Sequence, residues 1–362
     1  LKTGEYKMTI SRLPTPDLKW EKNKSINAGI DFSVLDSRVN GSFEYYYRKT
    51  VDMITSRQVA YEYGTTTMYL NGGDMTNRGW DLSFSFVPVR TNNFVWSVNM
   101  NTSQTHNKLQ SEIEPTGSWR EATGGGLHKA GYPVSGFWAF RFAGLNPDNG
   151  APTFDMTGAD TETAEKDATQ YLVYAGKGDA DFTAGLGTSI RYKNLYLSAN
   201  FYLSVGNQKF LSSPYGEKNA FGDETARSMA SEYKNLSSQL LDRWRKPGDE
   251  KRTDLPALPN AVTSAPIYPF YSKYTALYPY EAWAYSDIRV VDAWYLRCNN
   301  ISLSYTLPSK YIRHFAQSVS FSGSVSNPFQ IVSKDFHGRD PEVASGQQPL
   351  SRHFTLSLSV SF

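Results

Sequence analysis

Residues able to do covalent chemistry are few and scattered in this sequence. His106, His128, His314, His337 and His353 show no ligand spacing, and a histidine site needs its partners at a defined interval. Cys298 has no histidine beside it, and no Gly-x-Ser-x-Gly elbow occurs. As the one cysteine, it excludes an intrachain disulfide framework and a multi-thiolate zinc site. Gly124-Gly125-Gly126 lacks the Lys-Ser/Thr that closes a phosphate loop, so chain flexibility is its better reading. Asp155, Asp160, Glu162, Glu165 and Asp167 form a loose acidic set without D-x-D-x-D-G spacing. Calcium takes roughly 6–8 oxygens from a tight loop, so the set reads as solvated. The expectation is no catalytic centre, no cofactor and no metal.

What remains is binding chemistry. The segment Pro266–Tyr285 carries Tyr268, Phe270, Tyr271, Tyr274, Tyr278, Tyr280, Trp283 and Tyr285. Aromatic faces with a polar tip stack on sugar rings or grip peptide side chains, and packing against neighbouring loops is the competing role. Tyr268, Phe270, Tyr271, Tyr274, Tyr278, Tyr280 and Trp283 are the candidate ligand or partner contacts. Thr225–Arg245 reads as a helix in support of them. Met229, Tyr233, Leu236, Leu240 and Trp244 share one face at 3.6 spacing, and Pro247-Gly248 stops it. Lys and Arg number 37 against 35 Asp and Glu, a net charge of +2. That balance leaves no basic footprint for nucleic acid.

The elements that would carry these contacts have a period of two. Strict alternation marks a strand with one apolar and one polar face. It occurs over Ile26–Phe32, Val39–Tyr47, Trp80–Phe86, Phe94–Met100, Leu186–Tyr192, Leu195–Val205, Ile301–Leu307, Val319–Val325 and Phe354–Phe362. Short connections at Val34–Arg38, Pro88–Asn93, Lys193-Asn194 and Pro308–Gln317 alternate with long ones, roughly 50–79, 102–185, 206–300 and 326–353. A soluble sandwich also alternates, but it has no reason to sort its connections by length. Short turns on one rim and long loops on the other mark an outer-membrane barrel. No run of about 20 apolar residues exists for a membrane helix. Trp20, Tyr45, Tyr47, Trp80, Trp96 and Tyr305 lie near strand ends, where headgroup girdles sit.

The expected fold is thus all-β, an antiparallel transmembrane β-barrel segment of about nine strands with long extracellular loops. Nine is odd, bacterial single-chain barrels are even-numbered, and free edges in lipid leave backbone groups unpaired. The chain is therefore expected to be part of a larger barrel. Leu1–Ile10 has neither a basic start nor an apolar core, so a leader is expected to have been removed or the chain to begin inside a longer one. A soluble, secreted β-rich carbohydrate-binding module and a passive porin are the competing readings.

Several segments resemble a known family in order along the chain. Leu18-Lys19-Trp20-Glu21-Lys22 leading into Asn27–Phe32 is similar to the L-K-W-E-K…N-x-G-x-D-F of the SusC/RagA-type TonB-dependent outer-membrane transporters. Tyr45-Tyr46-Tyr47 with Lys49–Asp52, and Asn71–Gly79, resemble its D-Y-Y-x-K-x-T-x-D and N-x-G-x-M-x-N-x-G. Gly131–Val134 with Phe142–Leu145, and Asp242-Arg243-Trp244 with Leu255-Pro256, follow. Tyr295–Pro308 is similar to Y-L-R-x-x-N-I-x-L-S-Y-x-L-P, and Gly338 with Asp340-Pro341-Glu342 to G-x-D-P-E. The resemblance implies that residues 1–362 are the carboxy-terminal part of a 22-stranded barrel, starting near strand 14, with plug and earlier strands absent. It implies import of an oligomeric nutrient, glycan or peptide. It also implies a SusD-type surface lipoprotein as partner, outer-membrane lipid around the barrel, and energy from the TonB complex through the missing plug.

Overall fold

The computed structural model describes residues 12–65, 67–111, 113, 117–160, 163–164, 167–215, 236–267, 277–343 and 347–362. Each alternating segment forms a strand: β1 Lys22–Val34, β2 Val39–Val51, β3 Met75–Arg90, β4 Phe94–Leu109, β5 Phe182–Tyr192, β6 Leu195–Val205, β7 Tyr295–Thr306, β8 Ser318–Ser326 and β9 His353–Ser361. Each pairs antiparallel with the next, in one meander whose edges are β1 and β9. A short strand, Gln330–Val332, adds to β7 beside β8.

Register sorts the side chains into two faces, because period-two strands in antiparallel pairing align like with like. One row runs Phe32, Gly41, Phe84, Met100, Leu186, Phe201 and Cys298 across β1–β7. A second begins with Trp96 on β4 and continues through Ile190, Leu197, Leu303, Gly323 and Leu356 to β9. On this face Ile30 is 68% exposed and Leu356 91% exposed, too much apolar surface for water to cover. Trp80 lies opposite Tyr45 at the long-connection end of the face, and Tyr305 opposite Leu195 at the short-turn end. Cys298 is fully buried, its amide donating to the Phe329 carbonyl at 3.0 Å.

The connections sort as the sequence indicates. Leu35–Arg38, Thr91–Asn93, Lys193-Asn194 and Leu307–Gln317 lie at one end of the sheet, and 52–74, 110–181, 206–294 and 327–352 at the other. The protein's main apolar core is not inside the sheet but among these long connections. There Trp119, Trp138, Phe140, Tyr171, Leu172, Leu277 and Ala282 pack together.

The helix expected over Thr225–Arg245 is not what forms in its visible part. Residues 225–235 lie outside the described residues. Beyond them, Ser238–Asp242 is a 3-10 turn capped by Ser237, and Arg243 is already extended at φ −62°, ψ 161°. The Trp244 amide turns sideways and donates to the Leu255 carbonyl at 2.9 Å instead of continuing a helix. Its indole packs with Leu145 and Ala257. Gly150, at φ +70°, lets it in: a Cβ there would sit 2.3 Å from the ring. Tertiary packing has overridden helical periodicity.

Candidate lumen wall and loop rim

The second face of the sheet is polar along its whole width. Ser33, Asn40, Ser85, Asn99, Gly187, Asn200, Asn300, Ser326 and His353 follow one register line from β1 to β9. Toward the long connections come Asp31, Ser42, Ser83, Asn101, Gly185 and Tyr202, then Gly29, Glu44, Asp81, Ser103, Thr183 and Ser204. Neighbouring side chains bond across strands: Ser33 Oγ to Asn40 Oδ1 at 2.7 Å, Ser85 Oγ to Asn99 Oδ1 at 2.9 Å, and Asn107 Nδ2 to Asn77 Oδ1 at 2.6 Å. The Tyr46 hydroxyl meets Thr105 Oγ1 at 2.7 Å, over Gly79, where a Cβ would come within 2.7 Å of that hydroxyl.

A groove of about 610 Å³ runs over this face, lined by Asn27, Asp31, Glu44, Asp81, Asn101 and their neighbours. Asp31, Glu44 and Asp81 have no ion-pair partner among the described residues. Such a wall is wettable. It offers amide, hydroxyl and carboxylate groups to hydroxyl-rich or amide-rich solutes.

Above the wall sits the rim of long connections. A capping box opens the helix Trp119–Thr123, with Ser118 N donating to Glu121 Oε2 at 2.7 Å and Glu121 N to Ser118 Oγ at 3.4 Å. The cap aims Trp119 at Phe140, ring to ring 5.7 Å. Arg120 lies over the Trp119 ring at 4.3 Å and reaches the buried Glu281 carboxylate at 3.3 Å, tying this helix to Pro279–Ala284.

The candidate aromatic contacts divide. Tyr268, Phe270, Tyr271 and Tyr274 lie outside the described residues. Tyr278 is half-buried as the residue before Pro279–Ala284. Tyr280 is half-buried; its hydroxyl donates to the Ala257 carbonyl at 2.8 Å. Trp283 is 1% exposed. Its indole N–H donates to Asp254 O at 3.0 Å, Tyr215 meets it edge-on at 5.3 Å, and the Arg289 guanidinium covers its face at 4.5 Å. Trp283 is therefore a packing residue of the rim, since its ring faces and its donor are already used. Burial pushes the Tyr280 phenol up to about 12 and pulls Arg289 down to about 10. The Tyr280 phenol holds its proton at neutral pH.

The acidic set serves its own turns. Asp155 accepts from Thr157 N at 3.0 Å, Asp160 from Thr163 N at 3.0 Å and Asp167 from Thr169 N at 3.1 Å. Hydrogen bonds from Thr157, then from Arg141, hold the Asp155 carboxyl below the usual range. Glu162 and Glu165 lie outside the described residues. No group of three His, Cys, Asp or Glu side chains gathers to hold a metal among the described residues.

Two arrangements escape sequence reasoning. The inward carboxylates Asp31, Glu44 and Asp81 become neighbours only through register. Arg297 on β7 bonds Asp340 Oδ2 at 2.6 Å and Glu342 Oε2 at 2.8 Å, while Lys209 Nζ reaches the Pro341 carbonyl at 2.6 Å. The signal for this clamp is the pair of motifs, Tyr-Leu-Arg and Asp-Pro-Glu, each visible alone.

The profile of the family "TonB dependent receptor-like, beta-barrel" matches residues 6–207. TonB-dependent receptor SusC of Bacteroides thetaiotaomicron is 27% identical over 96% of this chain and 32% of its own length. TonB-dependent receptor P3 of Formosa agariphila is 23% identical over 98% of the chain and 35% of its own. The chain thus spans about a third of the length of the curated relatives it matches. Among solved structures, the RagAB peptide transporter superposes with a TM-score of 0.74 at 21% identity, covering 98% of this chain and 37% of that one. Its "open-open" state gives 0.70 at 21% identity. The matched profile, the inward polar wall, the outward apolar rows and the long-loop rim together place this chain in the TonB-dependent receptor β-barrel family, where it resembles the SusC/RagA-type members along nearly its whole length.

Proposed function

We propose that residues 1–362 form the carboxy-terminal part of an outer-membrane barrel that imports an oligomeric nutrient. The remainder of the same transporter closes the barrel and supplies a plug coupled to the TonB complex. A SusD-type lipoprotein docks on the rim of long connections. The observation that carries this reading is the register-sorted sheet, with a polar wall inward, apolar rows outward, and every long connection at one end. A wall of Asn, Ser and Asp suits glycans and peptides alike. Transport here is conformational, so the chain breaks no bonds. The undescribed part of Pro266–Tyr285, with Tyr268, Phe270, Tyr271 and Tyr274, is the proposed contact for ligand or lipoprotein. Tyr278 follows it in the chain, and Tyr280 and Trp283 pack against Tyr215 and bond the segment Asp254–Thr263.

The test is uptake of fluorescent oligopeptides and oligosaccharides by cells carrying the full-length transporter, before and after collapse of the proton-motive force. Energy-dependent uptake of one class is expected. Uptake that persists without energy would leave a passive pore.

A further inference from the structure

We propose that the outward face of β1–β4 carries a basic collar that binds the phosphorylated headgroups of outer-leaflet lipid. The inference rests on the membrane reading above.

Register places the cations. Lys24 lies opposite Lys49, Lys49 opposite Thr76, and Thr76 opposite Lys108. The next row toward the short turns is Ile26, Tyr47, Arg78 and His106, then Ala28, Tyr45, Trp80 and Gln104, then Ile30, Phe43, Leu82 and Thr102. Positive charge therefore begins where the apolar rows end, with an aromatic row between. The other face at this height carries Ser25, Arg48, Asn77 and Asn107, so the collar is on the side wall and not in the lumen.

The charges are only partly neutralised. Lys22 pairs with Asp52 at 3.2 Å and Lys49 with Asp74 at 3.5 Å, and Asp181 is shared by His106 at 3.3 Å and Lys177. Lys24, Arg78 and Lys108 are exposed and have no carboxylate partner among the described residues. Like charges directly opposite on a sheet face repel. Lys24 stands beside Lys49, whose charge Asp74 already meets at 3.5 Å, and an anion over β1–β4 would answer the unmet Lys24, Arg78 and Lys108.

Height selects the occupant. At about 3.4 Å per residue and a tilt of roughly 35–45°, the stretch from the Leu35–Arg38 turn up to Lys24 and Lys49 spans an apolar band of about 25 Å. The collar therefore stands at the outer headgroup layer. A lipoprotein on the rim would sit above it, and solute in the lumen is on the other side of the wall. A phosphorylated lipid headgroup has the charge and the position.

The test compares the full-length detergent-solubilised transporter with a Lys24→Gln/Lys49→Gln/Arg78→Gln/Lys108→Gln variant. Arg38→Gln/Lys193→Gln/Lys310→Gln/Arg313→Gln, at exposed positions in the short turns, is the charge-matched control. Folding is checked by heat-resistant migration. The probes are bisphosphorylated lipid A, its dephosphorylated form and inorganic phosphate, read by native mass spectrometry and thermal shift. Each cation near an anionic surface is worth about fivefold in affinity, roughly 1 kcal/mol. The quadruple variant should lose at least about tenfold for lipid A, with the control unchanged. Equal binding by the quadruple variant, equal binding of the dephosphorylated lipid, or the same shift from inorganic phosphate would overturn the collar. A wild-type protein that stays monodisperse without detergent would overturn the membrane reading itself.

Discussion

Ile30, Phe43, Phe84, Phe201 and Leu356 all lie on the outward rows. Arginine in place of Ile30 or Phe84 should cost about 2–4 kcal/mol if the site is near the midplane, measured by denaturant unfolding of the full-length protein in vesicles. Spin labels at these positions should be reached by oxygen and shielded from aqueous relaxants; aqueous labels would reverse the two faces. Trp283 is a different kind of residue. Its replacement by Ala empties a buried site and should cost about 3–5 kcal/mol, seen as faster amide exchange around Asp254–Ala257 with the barrel intact. Unchanged exchange would deny it the packing role. Tyr280 adds a pH signature. Its phenol is raised from 10.0 to about 12 by burial. The folded rim holds that proton where the unfolded chain releases it, so the contribution is complete below pH 10 and lost as pH rises toward 12. Tyr280→Phe should remove that part of the alkaline loss of rim protection.

Between residue and barrel stands the clamp. Arg297 holds Asp340, whose side chain is 1% exposed, so the connection between β8 and β9 is fastened to the root of β7. Arg297→Ala would leave that carboxylate buried and unpaired, at a cost of about 3–5 kcal/mol. Limited proteolysis should then cut within 333–343, and a resistant variant would show that the clamp is idle. Arg297→Lys should rescue only in part, because one ammonium cannot fork to two carboxylates. The clamp also shows what the sequence holds and what it hides. All nine strands are legible because alternation is local, visible in Ile26–Phe32 as in Phe354–Phe362. Arg297 and Asp340 are legible as motif members, yet their pairing depends on where the chain returns. The same limit applies to Asp31, Glu44 and Asp81, since alternation gives a face but not a neighbour. At Leu236–Arg245 a helical period is present, and the Trp244–Leu255 contact defeats it.

For the molecule as a whole, the sorting of connections predicts an orientation in the membrane. With long segments outside, surface protease on intact cells should cut within 110–181 or 206–294 and spare Leu35–Arg38, and β9 should end in the periplasm. Cleavage at that short turn would invert the topology. The same sorting bears on how such proteins diverge. The segment 206–294 leaves β6 and returns on β7, where Ser204 and Tyr295 are paired side by side. Its two ends are therefore fixed next to each other by the wall, whatever lies between them. Closing a loop grows costlier only with the logarithm of its length, about 0.6 kcal/mol for each doubling. Insertions, deletions and whole replacements in that segment are thus nearly free of entropic penalty, while one residue gained or lost inside β6 or β7 would turn every side chain beyond it to the wrong face unless a bulge absorbs it, as one does beside Asn200 and Phe201. If the chain imports as proposed, new cargo would be met more readily by changing the length of the rim than the length of a wall strand.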